Sequence, residues 1–137
     1  MQPLLLDTCA VIWLSEDEKL KEEADSALDA ASVQGVPTFI SPITAWEIGL
    51  LSSRDRMRLL ITPQNWFARA LAFPGMALAE LSPEVLIASS FLPGKPPRDP
   101  ADRIIAATAR HLGATLITRD SVLLNYGKQG HVNVLAC

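Results

Sequence analysis

Four carboxylates far apart in this chain share an unusual setting. Asp7 ends the apolar run Leu4-Leu5-Leu6, and Asp120 closely follows Leu116-Ile117. Glu47 interrupts SPITAWEIGLLS, and Asp102 interrupts PADRIIAATARHL. A carboxylate drawn toward a core is strongly unfavourable unless something neutralises it. A divalent cation would do so, and a cluster of oxygen ligands suits Mg²⁺ or Mn²⁺. The chemistry that follows is metal-dependent cleavage of phosphodiester bonds, with Asp7, Glu47, Asp102 and Asp120 as metal ligands and catalytic acids.

Each acid also has an ordinary reading. Asp7 and Asp120 precede helical stretches, and Asp is a leading N-cap residue. Asp99 and Asp102 flank Pro100 in an N-cap and N3 arrangement, a weak capping box. Asp102 nevertheless shares a helix stripe with Ile105 and Ala106, which makes it the preferred ligand and Asp99 a second-tier one. Glu47 has Ile43, Thr44, Leu50 and Leu51 as helical neighbours, so no polar face surrounds it. The Thr8 hydroxyl could hold the neighbouring carboxylate or a water. Arg98, Arg103 and Arg119 flank the acids and could clamp phosphate or be ordinary surface charge. Arg54, Arg56 and Arg58 form a second basic cluster that faces RNA or lies in a solvated loop. His111 and His131 have no partner at metal-ligand spacing.

The elements that must position these residues alternate. Residues 3–6, 38–40, 76–81, 114–118 and 132–135 read as short strands. Helices are expected from Thr8 to Leu14, over residues 17–33, and from Ser41-Pro42 to about Ser52. Others open at Thr62-Pro63, Ser82-Pro83, Asp99-Pro100 and Ser121, each behind an N-cap residue and most with proline at the first helical position. Gly35 and Gly113 end two of them. FLPGKPPRDP reads as a loop. Such alternation implies an α/β fold with a mostly parallel sheet covered on both faces. Ligands then bind beyond the carboxyl ends of the strands, where Asp7 and Asp120 both fall.

With 137 residues and 49% hydrophobic content, the chain can bury a sizeable core as one domain spanning 1–137. A net charge of −3 gives no general attraction to nucleic acid, so any such contact needs a local basic patch. No apolar run reaches membrane-span length. The N-terminus has no basic segment before its apolar part, unlike a secretion signal, and a cytoplasmic location is expected. Cys9 and Cys137 make neither a disulfide framework nor a zinc motif, and Cys9 reads as a small core residue.

The segments LLLDTCAVIWL, SPITAWEIGLL and RDPADRIIAATARHLGATLITRD together resemble a PIN-domain ribonuclease of the VapC toxin type over nearly the whole chain. The resemblance implies a three-layer α/β/α sandwich and a Mg²⁺- or Mn²⁺-dependent endoribonuclease blocked by a cognate antitoxin. It places the metal-site acids at Asp7, Glu47, Asp102 and Asp120, with Asp99 near them and hydroxyls at Thr8 and Thr118. Cys9 stands where the family often has His or Asn.

Rival readings are a catalytically silent PIN-like binding module and a phosphatase-type α/β hydrolase. A haloacid-dehalogenase-like phosphatase needs a second acid two residues after the first, and Cys9 occupies that place. Phosphate-binding glycine loops are absent from the sequence. A homodimer is expected, and an apolar groove for the antitoxin is sought among Ile12, Trp13, Leu14, Trp66, Phe67, Ala70 and Leu71.

Overall fold

Leu4–Leu6 forms the central strand (β1) of a parallel sheet in the computed structural model, which describes residues 1–137. Three leucines without a polar partner suit a strand covered on both faces. Asp7 then caps α1 (Thr8–Ser15), its side chain accepting from the Thr8 N–H. The chain continues through α2 (Glu22–Gln34), β2 (Thr38–Ile40), α3 (Pro42–Ser53), α4 (Pro63–Leu71) and β3 (Met76–Leu78). It returns through α5 (Pro83–Ala88), α6 (Pro100–Leu112), β4 (Thr115–Thr118), α7 (Ser121–Lys128) and β5 (Asn133–Ala136).

The sheet order is β3-β2-β1-β4-β5, and every pairing is parallel. The first three strands step outward in one direction, and the last two start again on the other side of β1. The order therefore reverses between β1 and β4. In open α/β sheets a crevice opens at such a switch point, outside the carboxyl ends of the strands. Asp7 leaves β1 there, and Thr118, Arg119 and Asp120 leave β4 beside it.

Strand alternation sends side chains to two separate cores. Leu4, Leu6, Ile40 and Ile117 pack with Ala24, Ala31, Ile48 and Trp66. Leu5 and Leu116 pack with Ile105, Ala109, Leu123 and Tyr126 on the other face. These are the three layers of an α/β/α sandwich.

Several boundaries differ from the sequence reading. The helix expected over 17–33 begins only at Glu22. Asp17 adopts a left-handed φ of 56°, which turns the chain away from α1. Glu22, Glu23 and Asp25 then sit in the first turn of α2, where the helix dipole favours them. Leu20 is buried before that helix starts. β3 is three residues, not six. Trp66 and Ala70, sought as part of a groove, are core residues. Ile12, Trp13, Leu14, Phe67 and Leu71 pack partly buried against the same core. No helix is long and apolar enough to cross a membrane.

Candidate functional site

Asp7 sits at the floor of the switch-point crevice, 6% exposed. Its Oδ1 accepts from the Thr8 N–H at 2.8 Å, and its Oδ2 accepts from the Thr118 hydroxyl at 2.7 Å. The Cys9 thiol donates to Oδ2 at 3.3 Å. Burial still outweighs these donors and raises the Asp7 pKa, with the nearby Asp120 adding to the rise. Asp120 caps α7 through a 2.7 Å bond from the Val122 N–H. Its own N–H donates to Thr118 Oγ1 at 3.0 Å. Thr118 thus links the two acids: it accepts from the Asp120 backbone and donates to the Asp7 side chain.

Glu47 enters from the inner side of α3. Thr8 Oγ1 donates to Glu47 Oε1 at 2.6 Å, and Thr44 Oγ1 lies 2.9 Å from Thr8 Oγ1. A hydroxyl has one proton. With that of Thr8 committed to the carboxylate, Thr44 donates to Thr8. The result is a relay, Thr44 to Thr8 to Glu47, that fixes one carboxylate oxygen. Desolvation raises the Glu47 pKa, the Thr8 bond opposes it, and Asp7 and Asp99 reinforce it.

Asp102 projects from the first turn of α6. Burial pushes its pKa up to about 8, helped by repulsion from Asp120, Asp7 and Asp99. Asp99 holds the N-cap position of α6 but makes no side-chain capping bond. Its carboxylate instead lines the crevice.

The resulting cavity of about 470 Å³ is lined by Asp7, Glu47, Asp99, Asp102 and Asp120, with Thr8, Cys9 and Arg119 among the rest. Five acids face one guanidinium. That guanidinium is engaged elsewhere: Arg119 lies over the Trp13 ring at 3.2 Å from its centroid, and its Nε donates to the Cys137 carbonyl at 2.7 Å. Arg98 and Arg103, expected near phosphate, lie outside this lining. Arg98 is exposed on the preceding loop, and Arg103, one residue past Asp102, projects from the next position around the helix.

The donor set fits a hard divalent cation. Every candidate ligand is an oxygen, three of the acids are destabilised as anions, and a cation would relieve all three. No three acids already converge on one ion-sized point.

Two members of the site were missed or misassigned from sequence. Thr44 lies three residues before Glu47 on one helix stripe, and that spacing could have found it. Cys9 is not a plain core residue. It is half-buried against Asp7, and burial with the Asp7 charge pushes its thiol up to about 12. Trp13 and Cys137 carry no local signal, because they meet Arg119 from 106 and 18 positions away in sequence.

Comparison with known proteins gives the family. The PIN domain family profile matches residues 4–129. Ribonuclease VapC22 of Mycobacterium tuberculosis (strain ATCC 25618 / H37Rv) is 30% identical over 127 residues, covering 92% of this chain and 93% of that protein. The fold is similar to VapBC from Salmonella typhimurium in a DNA-bound crystal structure. There the TM-score is 0.67 at 17% identity, over 99% of this chain and 98% of that one. It is also similar to VapBC2 from Rickettsia felis bound to a promoter DNA fragment. The TM-score there is 0.65 at 14% identity, over 98% of each chain. With a profile spanning nearly all of its length and a ribonuclease relative at this identity and coverage, the chain belongs to the PIN-domain family.

Proposed function

We propose that this chain is a VapC-type toxin: a Mg²⁺- or Mn²⁺-dependent endoribonuclease that hydrolyses RNA phosphodiester bonds in the cytoplasm and is held in check by a cognate antitoxin. The observation that carries the reading is the convergence of Asp7, Glu47, Asp102 and Asp120 on one crevice at the sheet's switch point, with Asp99 at its rim. The ribonuclease relative and the VapBC complexes of the same fold support the substrate and the partner.

A divalent ion bound there would supply a water acidic enough to attack at neutral pH and would offset phosphate charge. The protein's own share is positioning. Asp7 is immobilised by Thr8, Thr118 and Cys9, and Glu47 is aimed by Thr8 and Thr44. Asp102 and Asp120 line the same crevice and repel each other as anions. Arg119, fixed by Trp13 and Cys137, keeps the outer edge of its guanidinium for a substrate phosphate.

A homodimer is part of the same reading. Ile87 and Phe91, 63% and 80% exposed on and just after α5, leave an apolar patch outside the crevice.

The test is cleavage of total RNA by the purified chain with Mg²⁺, with Mn²⁺ and with EDTA, beside Asp102→Asn. Cleavage only with metal, lost in the folded variant, is expected. Full activity in EDTA or in the variant would refute the assignment.

A further inference from the structure

The acid crevice continues on one side into a second groove of about 500 Å³ between α3 and the start of α6. Glu47, Leu51 and Asp99 line both, so the two spaces share a wall. The new surface in this groove is Trp46 with Arg54 and Arg56. Trp46, Leu50 and Arg54 recur every four residues and form one ridge of α3. Glu47 and Leu51 form the adjacent ridge, facing the acids. A left-handed residue, Asp55 (φ 53°), turns the chain back at the helix end, and the Arg56 N–H bonds the Leu51 carbonyl at 2.9 Å. That turn holds the backbone of Arg56 beside Arg54.

Trp46 is 54% exposed, although tryptophan carries a large apolar area. Both arginines are exposed as well. An indole face flanked by two guanidinium groups matches one chemistry closely: an unpaired base to stack and the phosphates on either side of it to bind. The groove is too mixed for a purely apolar peptide face, since half its lining residues are polar or charged. Its position also answers an electrostatic difficulty. A chain of net charge −3, with five acids at its centre, repels RNA unless cations border the site.

We propose that the Trp46–Arg54–Arg56 shelf binds single-stranded RNA next to the scissile phosphate, with one base stacked on Trp46 and flanking phosphates on Arg54 and Arg56. Resting on the ribonuclease reading, this assigns to three residues outside the acid cluster the holding of an unpaired stretch of the substrate. A duplex keeps its bases stacked on each other and cannot present one to the indole.

The test uses the full chain carrying Asp102→Asn to prevent cutting. A fluorescein-labelled RNA of mixed sequence, roughly 12 nucleotides long to span such a groove, is titrated by anisotropy, single-stranded and as a duplex. Trp46→Ala is expected to weaken single-strand binding about tenfold, the scale of one lost base–aromatic stack. Trp46→Phe should recover most of it. Arg54→Ala/Arg56→Ala should weaken binding and lower the slope of log affinity against log salt by about 1.4, as two phosphate contacts on a single strand require. Cleavage of single-stranded RNA by otherwise native Trp46→Ala should fall in parallel. Equal affinity for duplex, or unchanged binding and cleavage in Trp46→Ala, overturns the shelf assignment while leaving the nuclease reading intact. Loss of a dimer in Trp46→Ala, seen by light scattering, would make this face an interface between copies and overturn it too. A native chain that cuts no RNA under any metal removes both.

Discussion

Thr8 Oγ1 donates to Glu47 Oε1 at 2.6 Å, joining the first turn of α1 to the middle of α3 across 39 positions of sequence. The bond depends on Thr44, which is fully buried and donates in turn to Thr8. Thr8→Val keeps the shape but removes the hydroxyl. It strips Glu47 of a donor and leaves the Thr44 hydroxyl without an acceptor. Expected are a loss of about 1–2 kcal/mol in stability and a fall of about tenfold in Mn²⁺ affinity, the usual scale for a residue that orients a ligand. Thr8→Ser should restore both. Calorimetric titration and urea melts measure them; normal Mn²⁺ affinity in Thr8→Val would show that the relay does not position Glu47.

The crowded acids make stability depend on pH. Asp102 holds its proton up to about pH 8 in the fold, against 3.8 for an ordinary Asp, and Asp7 and Glu47 shift in the same direction. As pH rises from 3.8, the unfolded chain releases its proton first, so the folded state loses stability until pH passes about 8. In EDTA the melting temperature should therefore fall across this window. Saturating Mg²⁺ should restore more stability near the top of the window than near the bottom. Asp102→Asn should flatten the EDTA profile and raise its alkaline end. A parallel, undiminished slope in Asp102→Asn would mean that Asp102 does not carry the effect.

Arg119 is poised by Trp13 rather than by an acid. Trp13→Leu keeps apolar volume but removes the ring face, freeing the guanidinium to turn inward onto the carboxylates. Cleavage should drop about tenfold, since a cation–π contact is worth roughly 0.5–2 kcal/mol and its loss also costs orientation. Arg119→Lys should not substitute, because its point charge lacks the planar fork. Steady-state cleavage of a defined RNA measures both; full activity in Arg119→Lys would reduce Arg119 to a simple charge.

Away from the site, α7 lies tightly on β5. A Cβ at Gly127 would fall 2.2 Å from Val134 Cγ2 and 3.1 Å from Val134 Cβ. Valine is stiff at χ1 and cannot swing aside. Gly127→Ala should destabilise the fold by about 1–3 kcal/mol, and Val134→Ala should recover part of that loss in the double variant. Thermal melts of the four proteins give the coupling; additive effects would deny the contact.

Co-expression with a cognate antitoxin should yield a stable complex that no longer cuts RNA. An antitoxin that presents a basic side chain to the five acids would replace the charge of the metal. Size-exclusion with light scattering and the cleavage assay decide it. A complex with undiminished nuclease activity would separate the PIN-type nuclease from the antitoxin claim.

The alternating pattern, the capping signals and the position of the acids were readable directly from the chain. Ser41-Pro42, Thr62-Pro63 and Ser82-Pro83 each announce a helix start, because a capping hydroxyl and a preset φ act within a few residues. Apolar setting made Glu47 and Asp102 conspicuous for the same local reason. Local signals could not say which of Asp7, Asp99 and Asp120 only cap helices. In the fold Asp7 and Asp120 cap and line the crevice at once, while Asp99 holds a cap position with a free carboxylate. Nor could they distinguish Arg103 from Arg119, since Arg103 falls outside the acid lining while strand order brings Arg119 into it and onto Trp13. Short-range sterics and hydrogen bonding write the elements into the sequence. The order of strands, and with it which distant side chains meet, is set by packing two cores on one sheet, and only the tertiary structure holds that information.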